Sequence, residues 1–480
     1  MSDTMNVELV VIGGGPGGYA AAFYAADLGI DVALVDTESN PGGVCLYRGC
    51  IPSKTLLHVA KLIDEAKHAA AWGISFGDPV IDLDKLRTFK NDVVAKLTGG
   101  LGKLAKARKV RTIHGRATFR DSNTLDIALV DGGKTELVFR NAILATGSLP
   151  AGIPGIPKDS ARVMDSTAAL DLPDIPAKLL VVGGGYIGLE LGTVYAALGS
   201  RVTVVEMTED ILPGADRDLV NQLKKRLDKQ FESILVNTKV SDMKERKDGI
   251  EVFFSSNDKN ERAMFDRVLV SVGRKANTHG IGLENTRVAL NERDCVIVDP
   301  QRRTAEQHIF AIGDVTGDPM LAHKASHEAR VAVDAISGKK TTFEPYAIPA
   351  VVFTDPEIAW AGLTESEAKQ QSRSVEVARF PWSASGRATT LDRSDGVTKL
   401  IIDADSQRVL GVGIAGPGAG ELIAEGVLAL EMGATVRDIS LSIHPHPTLS
   451  ESIMEAAEVW FGHATHLYRP RKKAAAESNK

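Results

Sequence analysis

Cysteine is scarce in this sequence of 480 residues: there are three, Cys45, Cys50 and Cys295. That count excludes a secreted scaffold stapled by several disulfides. In a reducing compartment it also makes any disulfide that does form better suited to catalysis than to structure. Basic charge is not in excess either, with 56 Lys and Arg against 62 Asp and Glu and a formal net charge of −6. A general affinity for nucleic acid is therefore not expected. No uninterrupted apolar run reaches transmembrane length, so no membrane span is expected. The first residues, Met-Ser-Asp-Thr-Met, are neither a signal peptide nor an arginine-rich transit peptide, and the expectation is a cytoplasmic or already processed chain. What is present is a globular composition, 44% apolar and 25% charged, on a chain long enough for about three domains.

Two of the cysteines share one stretch, Gly-Gly-Val-Cys-Leu-Tyr-Arg-Gly-Cys-Ile-Pro-Ser-Lys, residues 42–54. Four residues separate them, whereas zinc sites and thioredoxin-like pairs usually space their cysteines by two. Five positions along a regular helix put Cα atoms about 8–9 Å apart, beyond the about 5.5–6 Å that a disulfide needs. A bridge therefore requires Cys45 in a loop or a distorted first turn, with Cys50 leading into a helix. Pro52 fits the first turn of that helix. A reduced pair at a helix N-terminus would have its thiolate favoured by the helix dipole. Spacing alone leaves two readings open: a redox pair, or two unrelated free cysteines beside a loop.

The surroundings carry more. Residues 7–12 form an apolar run suited to a buried parallel strand. Gly13-Gly14-Gly15-Pro16-Gly17-Gly18 comes next, then an alanine-rich helix to about Leu28 and a strand from Val32 that ends at Asp36. This order is the context in which G-x-G-x-x-G binds a dinucleotide: Gly13, Gly15 and Gly18 admit the pyrophosphate to the helix N-terminus, and Asp36 accepts from a ribose hydroxyl. The unit recurs. A strand at 179–182 precedes Gly183-Gly184-Gly185-Tyr186-Ile187-Gly188, a helix to about Leu198, and a strand from Arg201 closed by Glu206. In both copies the acid lies eighteen residues after the last glycine. The chain is therefore expected to hold two dinucleotides. Glu206 suits a free ribose 2′-hydroxyl, and no arginine comes after it to receive a 2′-phosphate, so the second site should take NAD rather than NADP. The competing reading of Glu206 is a solvated strand end.

A redox disulfide beside a tightly held nucleotide suggests FAD, which passes electrons between a nicotinamide and a dithiol. Thr146 and Gly147, after a strand at 142–144, and Asp314, closing a strand from Ile309, are placed to contact it, although each stretch also fits an ordinary strand exit. Residues 151–174 read as a proline-rich linker, and residues 250–272 alternate like strands. From Pro345 the pattern becomes that of a separate α+β domain, and from about Tyr468 that of a frayed tail. Cys295 reads as a small buried residue in a strand. Near the C-terminus stands His444-Pro445-His446-Pro447-Thr448-Leu449-Ser450-Glu451. His446 can take a proton from a thiol, and Glu451 can orient the imidazole from the start of a helix capped by Thr448 or Ser450. Two structural histidines in a turn remain the alternative. A zinc site on His444 and His446 lacks a third ligand, and no metal is expected.

With GGGPGGY at 13–19, GGVCLYRGCIPSK at 42–54, GGGYIGLE at 183–190, SVGR at 271–274, FAIGD at 310–314, LAHKA at 321–325 and HPHPTLSE at 444–451, the chain resembles the FAD-dependent pyridine nucleotide–disulfide oxidoreductases along essentially its whole length. Within them it is most similar to the branch that oxidises dihydrolipoyl groups. The resemblance implies an α/β chain with two Rossmann-like dinucleotide-binding domains and a C-terminal α+β dimerisation domain. The FAD-binding domain would cover 1–150, the NAD-binding domain 151–274, a return to the FAD/central domain 275–345, the interface domain 346–467 and a flexible tail 468–480. It implies that Cys45 exchanges with the dithiol, that Cys50 lies against the flavin as a charge-transfer thiolate, and that His446, oriented by Glu451, serves the disulfide of the other subunit of a homodimer. Lys54 and Glu190 would sit near the flavin ring. Gly273 and Ala322, within these motifs, would join the glycines, Asp36, Thr146, Gly147, Glu206 and Asp314 in holding the cofactors. Lipoyl-bearing acyltransferase subunits of 2-oxoacid dehydrogenase complexes, or the glycine cleavage system, would be its partners, and no fused lipoyl domain is expected.

The chain departs from the family's usual residues at Tyr47-Arg48, where Asn-Val is commoner, at Asp36, where glutamate is usual, and at Tyr186, often aliphatic. Competing readings are a glutathione-type reductase, for which arginines after Glu206 are missing, and a mercuric reductase, for which a C-terminal cysteine pair is missing. A soluble transhydrogenase would usually lack the cysteine pair, and a non-catalytic flavoprotein subunit would have lost Cys45, Cys50 or His446. The role of Glu206 is checked with steady-state kinetics: kcat/KM for NADH should exceed that for NADPH by at least about tenfold, the weight of a single well-placed polar contact, and equal values would contradict it.

Overall fold

The computed structural model describes residues 4–157, 159–256 and 259–468, so all of the expected tail except Tyr468 lies outside the described residues. β1 (Thr4–Ile12), α1 (Pro16–Asp27) and β2 (Val32–Asp36) form the first strand–turn–helix–strand unit, with Pro16 in the first helical turn. α2 (Gly43–Arg48), α3 (Cys50–His68) and α4 (Leu83–Ala107) come before the chain returns as β3 (Arg111–Asp121), β4 (Thr124–Leu129) and β5 (Lys134–Leu144). β3, β2, β1 and β5 are parallel neighbours in that order, and β4 lies antiparallel between the far ends of β3 and β5.

β6 (Ser148–Pro150) leaves this module. The stretch 151–174, expected as a linker, is structured in part: β7 (Val163–Met164) and α5 (Ser166–Leu170) fall inside it, and β7 is an edge strand of the next sheet. Two strand residues leave no periodic signal, which is why composition alone hid them. The second unit then repeats the first as β8 (Lys178–Val182), α6 (Tyr186–Leu198), β9 (Arg201–Val205), α7 (Arg217–Gln230) and β10 (Ser233–Leu235). The alternating stretch becomes an antiparallel sheet of β11 (Lys239–Arg246), β12 (Gly249–Ser256) and β13 (Lys259–Phe265). β14 (Arg267–Val270) completes a parallel sheet in the order β10-β9-β8-β14-β7. β15 (Arg274–Ala276) pairs antiparallel with β6, joining the exits of the two modules. Cys295 is buried, but in a turn before an isolated bridge at Val296 rather than in a strand. β16 (Ile309–Ala311) rejoins the first sheet beside β5, and α8 (Ala322–Ile336) packs on α1.

The C-terminal region is an antiparallel sheet, β17 (Ala350–Val352), β18 (Glu357–Gly362), β19 (Val375–Pro381), β20 (Val397–Asp403) and β21 (Val409–Gly416), in the order β17-β18-β21-β20-β19. With it run the helices α9 (Glu365–Gln370), α10 (Gly386–Thr390), α11 (Ala419–Glu431), α12 (Val436–Leu441) and α13 (Glu451–Phe461). Among the described residues no helix is long and apolar enough to cross a membrane. α3 holds the parts together: it belongs by sequence to the first module, yet Leu56, Leu57 and Ala60 are buried in one apolar cluster with Leu189, Val194 and Leu198 of α6.

A charged contact fastens the second module to the C-terminal sheet. Lys399 on β20 is 1% exposed, and its Nζ lies 2.5 Å from Asp216, 2.8 Å from Asp218 and 2.7 Å from Glu365. These three carboxylates are close enough to hold a metal ion, but the cation between them is the lysine ammonium, with Arg379 paired to Asp218 and Glu365. Burial pushes the Asp218 carboxyl up; Lys399 and Arg379 outweigh it and hold it below its ordinary value. Lys399→Ala should lower the unfolding free energy by roughly 3–5 kcal/mol, because it strands buried carboxylates. The check is urea denaturation at neutral pH, where a loss below about 1 kcal/mol would mean that water replaces the ammonium. Asp218's share of stability is present above the ordinary carboxylate pKa and lost as pH falls through its folded value. The gap between the two proteins should therefore narrow on acidification.

Candidate active site

The two glycine turns have the same construction. A Cβ on Gly13 would stand 2.3 Å from the Ala145 carbonyl oxygen, and one on Gly183 would stand 2.4 Å from that of Ser271. A Cβ on Gly18 would stand 1.8 Å from the Gly13 oxygen, and one on Gly188 would stand 2.2 Å from the Gly183 oxygen. Only glycine permits this packing of turn on helix on strand. Gly15 and Gly185, by contrast, are extended N-caps whose Cβ directions are open, and neither helix has a side-chain cap. The free amides at the starts of α1 and α6 thus face space that suits a pyrophosphate.

Asp36 and Glu206 brace these turns in the same way. One carboxylate oxygen accepts from the amide of the second glycine, Gly14 or Gly184, and the other from the amide two residues on, Glu38 or Thr208 at 2.8 Å in both cases. Burial raises the Asp36 carboxyl, against the lowering effect of the Gly14 amide and Arg48. Glu206 is buried and so is not a solvated strand end. Each acid is first a brace for its turn; Glu206 Oε1 also accepts from the Thr208 hydroxyl at 2.9 Å, so there the oxygen bound to the Gly184 amide is the one with a lone pair left for a ribose.

A cleft of about 430 Å³ brings together Gly13, Gly15, Asp36, Cys45, Cys50, Lys54, Thr146, Gly147, Glu190, Asp314 and Ala322. Its volume falls in the range of ligand sites. With the open Gly15 amide end and the carboxylate brace at Asp36, it fits the expected FAD. Gly18 lies behind the turn. Gly183, Gly185, Gly188 and Glu206 form the second turn outside this cleft, where Gly273, with φ of 118°, closes the exit of β14.

Of the two places the spacing allowed, a loop or a distorted first turn, Cys45 takes the second: it is the third residue of the separate six-residue helix α2. The break falls at Gly49, with φ −144° and ψ −110°, and α3 begins at Cys50 with Pro52 in its first turn. A Cβ on Gly49 would meet the Val44 oxygen at 2.9 Å and the Cys45 Cα at 3.4 Å, so the chain folds back on itself there. The two cysteines are unbridged, and a hydrogen bond between the thiols dominates their ionisation. That bond, with burial, pushes the Cys45 thiol well up. The same bond, helped by Lys54 against burial, brings Cys50 down to about 7. Both directions favour Cys50 as the thiolate of the pair.

Glu190 on α6 is 3% exposed and receives Lys54 Nζ at 2.7 Å and the Phe353 amide at 2.9 Å, while Lys54 lies 4.5 Å from the centre of the Phe353 ring. Asp314 accepts from Ser148, whose hydroxyl in turn receives Arg274 Nε at 2.7 Å. Arg274 ends the SVGR motif and Ser148 comes directly after Thr146-Gly147, yet neither carries a local signal of a role in the site. Phe353 carries none either. Tyr186, the first residue of α6, lines the cleft and is 40% exposed, with burial of its hydroxyl raising it to about 12.

His446 and Glu451 are together but elsewhere. His446 Nδ1 lies 2.8 Å from Glu451 Oε1, and the other carboxylate oxygen accepts from the Thr448 amide at 2.7 Å. Burial pushes the Glu451 carboxyl up; the Thr448 amide and the imidazole outweigh it and hold it low. Neither Thr448 nor Ser450 caps α13 through its side chain; their hydroxyls meet each other at 2.9 Å, and the Thr448 hydroxyl also donates to the Pro445 carbonyl at 2.7 Å. With Nδ1 engaged, Nε2 is left as a proton acceptor on a side chain 69% exposed, and neither residue lines the cleft of the thiols. His444 uses both nitrogens on Glu425 at 2.7 Å and the Ser442 carbonyl at 2.8 Å, which leaves neither for a metal.

The family model described as pyridine nucleotide-disulphide oxidoreductase matches residues 7–329, and the dimerisation domain of the same family matches residues 348–457. The chain is 50% identical to the dihydrolipoyl dehydrogenase of Haemophilus influenzae over 99% of its own length and 98% of that protein. It is 44% identical to that of Geobacillus stearothermophilus, over 96% and 98%. Among solved structures it is similar to LpdA from Mycobacterium tuberculosis, with a TM-score of 0.87 and 28% identity over 95% of this chain and all of that one. It is also similar to the HOCl-induced flavoprotein disulfide reductase RclA from Escherichia coli, with a TM-score of 0.84 and 28% identity over 94% and 99%.

The division of charge between the thiols is open to measurement. In the reduced, FAD-free protein the ultraviolet thiolate absorbance should appear with a midpoint near pH 7. It should move well upward in Cys50→Ser, where only Cys45 and Cys295 remain, while Cys45→Ser should retain a thiolate on Cys50. A midpoint unchanged by Cys50→Ser would reverse the assignment.

Proposed function

The chain belongs to the pyridine nucleotide-disulphide oxidoreductases, and we propose that it works among them as a dihydrolipoyl dehydrogenase. It oxidises protein-bound dihydrolipoyl groups to the lipoyl disulfide, with FAD and NAD as cofactors. The observation that carries this reading is the pair of cysteines, Cys45 in α2 and Cys50 at the head of α3, brought together in a cleft floored by the first glycine turn, with Lys54 beside them. Gly13, Gly15, Gly18 and Asp36 hold FAD from the first turn. Lys54, Thr146, Gly147, Glu190, Asp314 and Ala322 line its site, and Gly183, Gly185, Gly188, Glu206 and Gly273 receive NAD. FAD, when bound, would supply the two-electron relay from the reduced cysteines to NAD by which Cys45 and Cys50 return to the disulfide.

The chain's own residues handle the sulfur and the protons. In a homodimer built through the C-terminal domain, the partner's His446 accepts the proton of the first lipoyl thiol. The thiolate so formed attacks Cys45 Sγ, the Cys45–Cys50 bond breaks, and Cys50 leaves as a thiolate. The second lipoyl sulfur then attacks the first, closes the lipoyl ring and expels Cys45, which keeps that thiol's proton. Two S–H groups have become one S–S bond, and the protein holds Cys45–SH, Cys50–S⁻ and one proton on the imidazole. This is the charge state the structure favours. Glu451 fixes the ring so that Nε2 is the basic nitrogen. Lipoyl-bearing acyltransferase subunits of 2-oxoacid dehydrogenase complexes, or the glycine cleavage system, supply the substrate, in the cytoplasm.

The test is NADH production from dihydrolipoamide and NAD, set against NADH oxidation with glutathione disulfide; no turnover of dihydrolipoamide would overturn the reading. Cys45→Ser should abolish turnover with FAD still bound, and His446→Ala should slow the dithiol half-reaction by at least about 10²-fold. Mixed dimers of these two variants should regain part of the activity, since one of their two sites would be intact.

A further inference from the structure

Arg48 ends α2, on the adenosine side of the cleft, where the family's usual residue is aliphatic. Its Nη2 pairs with Glu38, it lines the cleft beside Asp36, Thr37 and Glu38, and it remains 37% exposed. Its Nε is covered by the protein itself and has no hydrogen-bond partner among the described residues, so it is the remaining, accessible part of the side chain that can meet a ligand. The helix that carries Arg48 is anchored by its neighbour: the Tyr47 hydroxyl donates to the Asn40 carbonyl at 3.0 Å, and the Tyr47 ring centre lies 6.0 Å from the Arg48 guanidinium carbon. The start of α2 also abuts the first glycine turn, where a Cβ on Gly43 would come within 2.4 Å of the Gly15 Cα. One short helix thus spans from the pyrophosphate turn to the Asp36–Glu38 wall.

The electrostatics of that end are unbalanced without Arg48. A dinucleotide brings two phosphate charges to a wall that already carries Asp36 and Glu38, with only the α1 amides opposing them. Arg116 on β3 also lines the cleft, but it is exposed to solvent and therefore screened. An arginine engaged on one nitrogen keeps the rest of its fork for a phosphate.

We propose that Arg48 is a phosphate-binding residue for FAD: Glu38 holds the guanidinium at the rim, and its free edge takes a charge-assisted contact with the pyrophosphate. This rests on the reading of the first module as an FAD site. Glu38 is then a positioning residue rather than a ligand, and the Tyr47-Arg48 departure strengthens cofactor retention without touching the cysteine spacing.

The test is the FAD dissociation constant of the stripped apoprotein, read by quenching of flavin fluorescence at low and high salt, with circular dichroism to confirm the fold. R48V should weaken binding by about 10- to 100-fold at low salt, and the gap from the parent should shrink at high salt. E38Q, which keeps the arginine charge, should change binding by less than about threefold. Equal losses in R48V and E38Q would show that the pair only braces α2, and R48V binding like the parent would show that Arg48 does not reach the phosphates; either outcome overturns the proposal. Failure of the parent protein to bind FAD would instead overturn the functional reading on which it stands.

Discussion

The buried carboxylate of Glu190 is the contact on which the rest depends. It comes from α6 in the second nucleotide module, it holds Lys54 of the cysteine helix, and it receives the backbone of Phe353 from the start of the C-terminal region. A carboxylate this deeply buried is tolerable only when its oxygens are occupied by charge or amide donors. Each of the three parts therefore completes the others. The apolar contact of α3 with α6 runs in parallel with this ion pair. The two partners also act on Cys50 with opposite sign, Lys54 favouring its thiolate and Glu190 opposing it, so the interaction that assembles the chain reaches the reactive sulfur as well.

The two nucleotide modules solve one steric problem twice. In each, a strand exit, a glycine turn and a helix pass within distances that no side chain allows, and an acid at the end of the second strand ties the turn from outside. The modules diverge beyond that acid. After Asp36 the chain runs into α2 and the cysteines; after Glu206 it runs into Thr208 and α7, whose acids face Lys399. One turn opens beside a pair of thiols and the other does not.

How much of this was legible depended on range along the chain. The glycine turns could be read because their requirement is local: close backbone approach admits one residue type, and the acid sits at a fixed offset. The His446–Glu451 contact was within reach for the same reason, five residues apart, although neither Thr448 nor Ser450 caps α13 as expected. The cysteine loop was half legible. Spacing showed that a regular helix could not serve, but not that the irregularity would fall at Gly49 and leave Cys45 helical. Phe353, the Ser148–Arg274 link and the Lys399 cluster join residues far apart in sequence, and each residue there looks ordinary by itself. β7 was missed because two residues cannot show a period.

The Lys399 cluster has a mechanical consequence. α7 is pinned to the C-terminal sheet by buried charge, and α6 is pinned to the start of that sheet through Glu190 and Phe353. A body fixed at two separate points cannot swing away from its support as a whole. The second module is therefore braced as a wall of the chain rather than hung from it as a jaw.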